Sequence, residues 1–255
     1  MIKISERLTV AASLVSRGSV LADVGTDHGY VPIYLIQKGV IPRASAMDIN
    51  RGPLERAKEH IAQFGMGEYI QTRLSDGVSA LAIGEADSIL IAGMGGGLVM
   101  HILEDGAAVC QSAGELVLQP QSELARVRRF LYEKGYVTDA EEMVEEEGKY
   151  YPMMRVHYEP AITKSKHCEL AQEDAACAEQ TSEKEGLTGC HLAYGRMLLE
   201  SRHPVLHEYL ERERHLYKNI LCKLKGQPQS DKIVKRIQEM TVALEQNEEA
   251  LTYYR

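Results

Sequence analysis

Two short segments, LADVGTDHGY at 21–30 and AMDIN at 46–50, hold the residues best suited to chemistry. A glycine-rich turn after a first strand lets the backbone approach a bound molecule closely, and a carboxylate closing a second strand accepts hydrogen bonds from both hydroxyls of a ribose. Asp48 lies 19 residues after Gly29, about where that geometry puts it. Dinucleotide binders use G-x-G-x-x-G to seat a pyrophosphate on a helix N-terminus. Here three residues separate Gly25 from Gly29, and Asp23 and Asp27 add negative charge. Such carboxylates repel a pyrophosphate and suit the sulfonium and ammonium of S-adenosylmethionine. A glycine turn that serves only strand-to-helix geometry is the plain alternative, and Asp48 counts against it.

The elements that position these residues alternate. SVLADVG reads as a first strand, and Pro32 suits the first turn of the helix that ends at Gly39. ASAMDI is a second strand, followed by a helix opened by Pro53 with Leu54, Ala57, Ile61 and Phe64 on one face. YIQTRL, DSILIAG and GELVLQ are further strands, and Ser122 to Lys134 is a helix. Five βα units predict a doubly wound α/β sheet. YVTDAEEMVEEE and YYPMMRVHYE, joined around Gly148, then require an antiparallel hairpin, because a parallel return needs a dozen or more residues. Residues 161–193 read as a polar linker, separating a domain at 1–160 from one at 194–255. In the latter, Pro204 to Lys225 and Ser230 to Tyr254 read as an antiparallel helical pair packed as a short coiled coil, with Asn247 interrupting the apolar seam.

DVGTDHGYVPI, MDIN, SDG, IAGMGGG and LVLQP, in that order, closely resemble the bacterial tRNA (adenine-N1)-methyltransferases that act on adenine 22. The likeness covers residues 1 to about 160 strongly and the C-terminal segment more loosely. It implies a class I methyltransferase fold, which is Rossmann-like and ends in an antiparallel hairpin, with S-adenosylmethionine as cofactor and tRNA as substrate. By that resemblance Asp23, Gly25 and Gly29 shape the methionine pocket, Asp48 holds the ribose and Ile49 covers the adenine ring. Asp76, with Gly77 beside it, accepts from the exocyclic amine, and Ala92 and Gly93 line the cleft near the sulfonium. Asp27 stands where the broader class usually has glycine. The chain also lacks the Asn-Pro-Pro-aromatic motif that holds exocyclic amines, consistent with transfer to a ring nitrogen.

Asp27, His28 and Tyr30 are the candidate catalytic residues. N1 of adenine already carries an in-plane lone pair, so alignment does most of the work, and a carboxylate or histidine serves the cationic ring formed on methylation. The competing reading has His28 capping the next helix and Tyr30 packing beneath it. Met94, within GMGGG, and Gln119, whose amide both donates and accepts, are candidate contacts to the base. Against these stand a tight turn for the glycines and a local loop hydrogen bond for Gln119.

The formal charge of −8 at first disfavours a nucleic-acid partner, but it is segregated. Residues 139–185 hold 13 acids and 5 bases, whereas 202–236 hold 9 bases and 4 acids. Local charge decides where a polyanion docks, so Arg202, Arg212 and Lys218 are candidate tRNA contacts. The alternative is a solvated helix pair. No apolar run is long enough for a membrane span, and the five cysteines form no CxxC pair. The expectation is a cytoplasmic monomer with free thiols and no metal site. Rival functions are the same fold acting on another RNA or a small molecule, a non-catalytic RNA-binding protein, and nicotinamide-dependent oxidoreduction.

Overall fold

The computed structural model describes residues 2–160, 187–228 and 230–255. They fall into two compact units, Met1–Ala178 and Glu179–Arg255.

In the first unit, five short, mostly apolar runs and a longer two-stranded hairpin pair into one seven-stranded sheet. Its strands are β1 (Leu21–Val24), β2 (Ala44–Asp48), β3 (Ile70–Leu74), β4 (Ser88–Met94), β5 (Glu115–Pro120), β6 (Tyr136–Glu146) and β7 (Lys149–Tyr158), in the order β3-β2-β1-β4-β5-β7-β6. β1 to β5 are parallel, and β7 enters antiparallel between β5 and β6, with Leu118 opposite Met154. The hairpin turn at Glu147 and Gly148 has positive φ at both residues, 53° and 78°, the twist that suits a two-residue β-connection.

Central strands bury both faces, and alternate residues feed two cores. Ile89, Ile91, Leu116 and Leu118 join one core with α4 (Gly96–Asp105), α5 (Ala107–Ser112) and α6 (Leu124–Glu133). Leu90 and Val117 join the other with α1 (Glu6–Ser13), α2 (Tyr30–Gln37) and α3 (Arg51–Gln63). A buried ion pair, Arg128 Nε to Glu141 Oε1 at 2.9 Å, ties α6 to β6.

The expected five βα units are corrected at one point: no helix follows β3. Residues 75–87 form turns, because Ser75 Oγ accepts from the Ala80 N–H and donates to the Gly77 carbonyl, replacing the bonds a helix would make. β4 and β5 are instead joined by two helices, α4 and α5.

The second unit begins with α7 (Gly189–Tyr194), whose Thr188 cap and His191 form a capping box, and continues with α8 (Arg196–Glu200), α9 (Pro204–Lys225) and α10 (Asp231–Leu251). Residues 189–193, expected in the linker, are thus helical. The remainder of that stretch, 161–186, with Cys168 and Cys177, lies outside the described residues. Leu206, Leu210 and Leu221 of α9 and Ala250 and Leu251 of α10 are buried. Asn247 is fully buried among them and donates from Nδ2 to the Leu210 carbonyl at 3.0 Å, which accounts for the break in the seam. Tyr194, Tyr209 and Tyr217 all donate to the carboxylate of Glu213. Cys110, Cys190 and Cys222 are free, and burial pushes the Cys110 thiol up to about 12, so it is inert.

Candidate active site

The strand order reverses between β1 and β4, and in open α/β sheets ligands sit at that point, outside the carboxyl ends of the strands. Gly25 leaves β1 with φ 77°, a conformation that favours glycine, while the N–H groups of Gly25 and Thr26 both donate to the Met47 carbonyl at 2.8 Å. A Cβ on Gly25 would lie 2.1 Å from the terminal methyl of Met94, so that thioether rests directly on the turn. A β-carbon and that methyl cannot share this space.

Asp23, in β1, is only 7% exposed, and burial, reinforced by the nearby Asp48 charge, raises its carboxyl to about 6. Asp48, at the end of β2, is half-buried and oriented by the Asn50 N–H, which donates to Oδ1 at 2.7 Å. Beside it Ile49 is 59% exposed, an apolar side chain held in the open. Asp76 is exposed on the turn after β3, next to Gly77. At the end of β4 the register shifts between Ala92 and Met94, placing a bulge at Gly93. Gly96, which opens α4, would clash through a Cβ with the Ser122 carbonyl at 2.3 Å, so GMGGG serves close packing as well as the turn.

The loop between β1 and α2 is held by α3. Asp27 Oδ1 pairs with Arg56 Nη2 at 2.6 Å, and Asp27 Oδ2 lies 3.4 Å from His28 Nε2. His28 has φ 112°, a conformation that costs a non-glycine residue about 1–3 kcal/mol. It does not cap α2: the cap position is Gly29, and no side chain bonds there. Its ring stacks on Tyr30 at 4.9 Å and on His60 at 5.2 Å, and Tyr30 stacks on His60 at 5.1 Å. His28 Nδ1 is buried without a hydrogen-bond partner.

Gln119 is fully buried at the end of β5, and its bonds are not local. Oε1 accepts from the Gly93 N–H at 3.0 Å and from Arg7 Nη1 at 2.9 Å, which leaves Nε2 buried and unpartnered. The expectation of an amide that both donates and accepts therefore narrows to a donor, because its acceptor is occupied. Arg7, Arg56 and His60 were not singled out in the sequence, since each comes from a helix outside the strand-end motifs. The helical signal of α3 was visible, but nothing marked which of its polar residues turn toward the loop.

In the second unit, Lys218 pairs with Glu248 at 3.0 Å and Arg236 with Glu239 at 3.0 Å, while Arg214 pairs with Glu211. Arg202, with φ 53°, and Arg212 are exposed. Lys223 and Lys225, at the end of α9, and Lys232 and Lys235, at the start of α10, form no ion pair among the described residues and flank the same turn.

The 3-2-1-4-5-7-6 sheet with its strand-end carboxylates defines a Rossmann-like methyltransferase. Residues 4–154 match the methyltransferase domain family, and the chain belongs to that family. Within it, the chain is 38% identical over 153 residues to the tRNA (adenine(22)-N(1))-methyltransferase of Bacillus subtilis, a match that spans 60% of this chain and 64% of that protein. The crystal structure of the B. subtilis tRNA methyltransferase TrmK superposes with a TM-score of 0.80 at 26% identity, covering 98% of this chain and all of that one. Streptococcus pneumoniae Sp1610, solved in complex with S-adenosyl-L-methionine, gives a TM-score of 0.79 at 28% identity with 98% and 100% coverage. Among the described residues no helix is long and apolar enough to cross a membrane.

Proposed function

We propose that this protein transfers a methyl group from S-adenosylmethionine to ring nitrogen N1 of adenine 22 in tRNA, acting in the cytoplasm as a monomer. The observation that carries this reading is the pair of carboxylates at the strand-order switch, Asp23 buried and Asp48 fixed by the Asn50 N–H, with Ile49 exposed beside them. These groups fit the cofactor. Asp48 would accept from the ribose hydroxyls, Ile49 would cover the adenine and Asp76 would accept from its amine. Asp23, with Gly25 and Gly29, would face the cationic methionine end, and Ala92, Gly93 and Gly77 would line the cleft.

When bound, S-adenosylmethionine supplies an electrophilic methyl. The protein's task is then to present N1 in line with that methyl and to exclude water. The base must first leave its stack, since N1 lies on the pairing edge. The ring surface of Tyr30 and His28 offers a stacking platform, and the donor-only amide of Gln119 suits a ring-nitrogen acceptor of the base. His28 Nδ1 is buried and unpartnered, and in this reading it would receive the proton later lost from the exocyclic amine. Asp27 contributes through His28, because its other oxygen is committed to Arg56.

For tRNA, the four lysines flanking the helical turn offer phosphate contacts, with Arg202 and Arg212 adding positive charge, whereas Lys218 shares its charge with Glu248. The kinship with the B. subtilis enzyme supports adenine 22 as the target. Mapping reverse-transcription stops in host tRNA with and without the protein tests the reading. A stop at adenine 22 that depends on the protein is expected, and an unchanged pattern would refute it.

A further inference from the structure

α3 does more than pack on the sheet: its Arg56 and His60 lie one turn apart and hold successive residues of the β1–α2 loop. Arg56 grips Asp27, and His60 reaches His28 and Tyr30. His60 Nδ1 is 3.1 Å from the His28 carbonyl oxygen. A carbonyl only accepts, so the proton resides on Nδ1, which fixes the tautomer of His60 and the direction of the bond. That bond falls on the one loop residue whose backbone is held at φ 112° without being glycine. An unusual backbone conformation of this kind persists only where its surroundings over-determine it. Here those surroundings are the His60 bond, the stacked rings of His60 and Tyr30, and Ala57 and Ile61 of α3. The last two lie 3.5 Å and 3.7 Å from where a Cβ on Gly29 would stand.

We infer that His60 is a positioning residue for methyl transfer: through its Nδ1–H bond to the His28 carbonyl it holds His28 and Tyr30 in the orientation that meets the target base. The inference rests on the reading that this loop faces the base. His60 itself does not touch the reacting atoms, and the bond and the ring can be separated by substitution. His60→Asn places an amide N–H near the position of Nδ1 and removes the ring, whereas His60→Phe keeps a ring and removes the donor. The loop's cofactor-facing turn at Gly25 is held separately, by the Met47 carbonyl, so cofactor affinity is not the quantity that moves.

The experiment measures kcat and KM for tRNA methylation, and S-adenosylmethionine affinity by calorimetry, for the full chain and both variants. A misplaced catalytic loop costs on the order of 10- to 100-fold in rate. We expect His60→Phe to lose that much kcat with KM for tRNA and cofactor affinity within about twofold of the parent, and His60→Asn to recover most of the loss. Equal loss in both variants, or none in His60→Phe, overturns the inference. Crystal structures of the parent and His60→Phe give a second readout that does not depend on tRNA being the substrate. The φ of His28 should leave the positive region in the variant, and its staying near 112° would also overturn the inference. A parent that methylates no tRNA refutes the functional reading, while the backbone arm still decides whether His60 holds the loop.

Discussion

Asp23 and Asp48 sit near the carboxyl ends of adjacent strands, and the charge on Asp48 adds to burial in raising the Asp23 carboxyl from 3.8 to about 6. The folded protein therefore binds a proton more readily than the unfolded chain between those two values. Stability attributable to Asp23 falls as pH rises through that window and stays low above it, by about 3 kcal/mol. Asp23→Asn should flatten this dependence and be the more stable form at pH 7.5, as urea unfolding at pH 4.5 and 7.5 would reveal. A steeper fall in the variant would contradict the assignment.

Ligand binding carries the opposite sign. A cation placed against ionised Asp23 favours loss of its proton, so S-adenosylmethionine affinity should rise with pH through about 6. At pH 5.5 binding should release a fraction of a proton, seen as a binding enthalpy that depends on the ionisation enthalpy of the buffer. Identical enthalpies in two such buffers would place the cationic end of the cofactor elsewhere.

Asp48→Ala removes at least one charge-assisted hydrogen bond to ribose, worth about 1.5 to 3 kcal/mol, so cofactor affinity should fall roughly 10- to 150-fold. Circular dichroism should show the fold unchanged, since Asp48 is half-buried at the end of its strand. Calorimetry giving the parent affinity would sink the ribose assignment.

Tyr30→Ala should lower methyl transfer about 10- to 100-fold through loss of stacking worth about 1 to 3 kcal/mol, while Tyr30→Phe keeps the ring and stays nearly silent. Because Tyr30 also stacks on His28 and His60, the alanine variant empties one corner of a three-ring cluster. A phenylalanine variant as damaged as the alanine one would show that the hydroxyl, not the ring, matters.

Replacing Lys223, Lys225, Lys232 and Lys235 together by Ala should weaken tRNA binding and lower the slope of log affinity against log salt by about 3, since each phosphate contact contributes roughly 0.7 to 0.9. Cofactor affinity should be unaffected. Fluorescence anisotropy over a salt series measures the slope, and an unchanged slope would exclude these lysines.

The strands were legible because fully buried parallel strands are short apolar runs, and LVLQ or SILIA has no other economical use. The strand-end carboxylates were legible too, as Asp48 and Asp76 belong to motifs that end strands. The count of five βα units did not disclose that the stretch after β3 lacks a helix, because there Ser75 bonds its own neighbouring backbone. Arg7 meets Gln119 across 112 residues of chain, and His60 meets His28 across 32. No local pattern announces such pairs. Their partners are chosen by how helices pack on the sheet, which a charged residue on an amphipathic helix does not disclose.

Asn247 has a consequence beyond filling a gap in the helical hairpin. Leucine contacts change little when one helix slides along another by a turn, so an all-apolar seam would tolerate several alignments of nearly equal energy. A buried amide does not slide, because a shifted position strands it in hydrocarbon. Asn247 thus indexes α10 against α9 and fixes how far the lysine-bearing turn projects, so the hairpin works as a rigid gauge, setting the separation between its tip and its base to a single length.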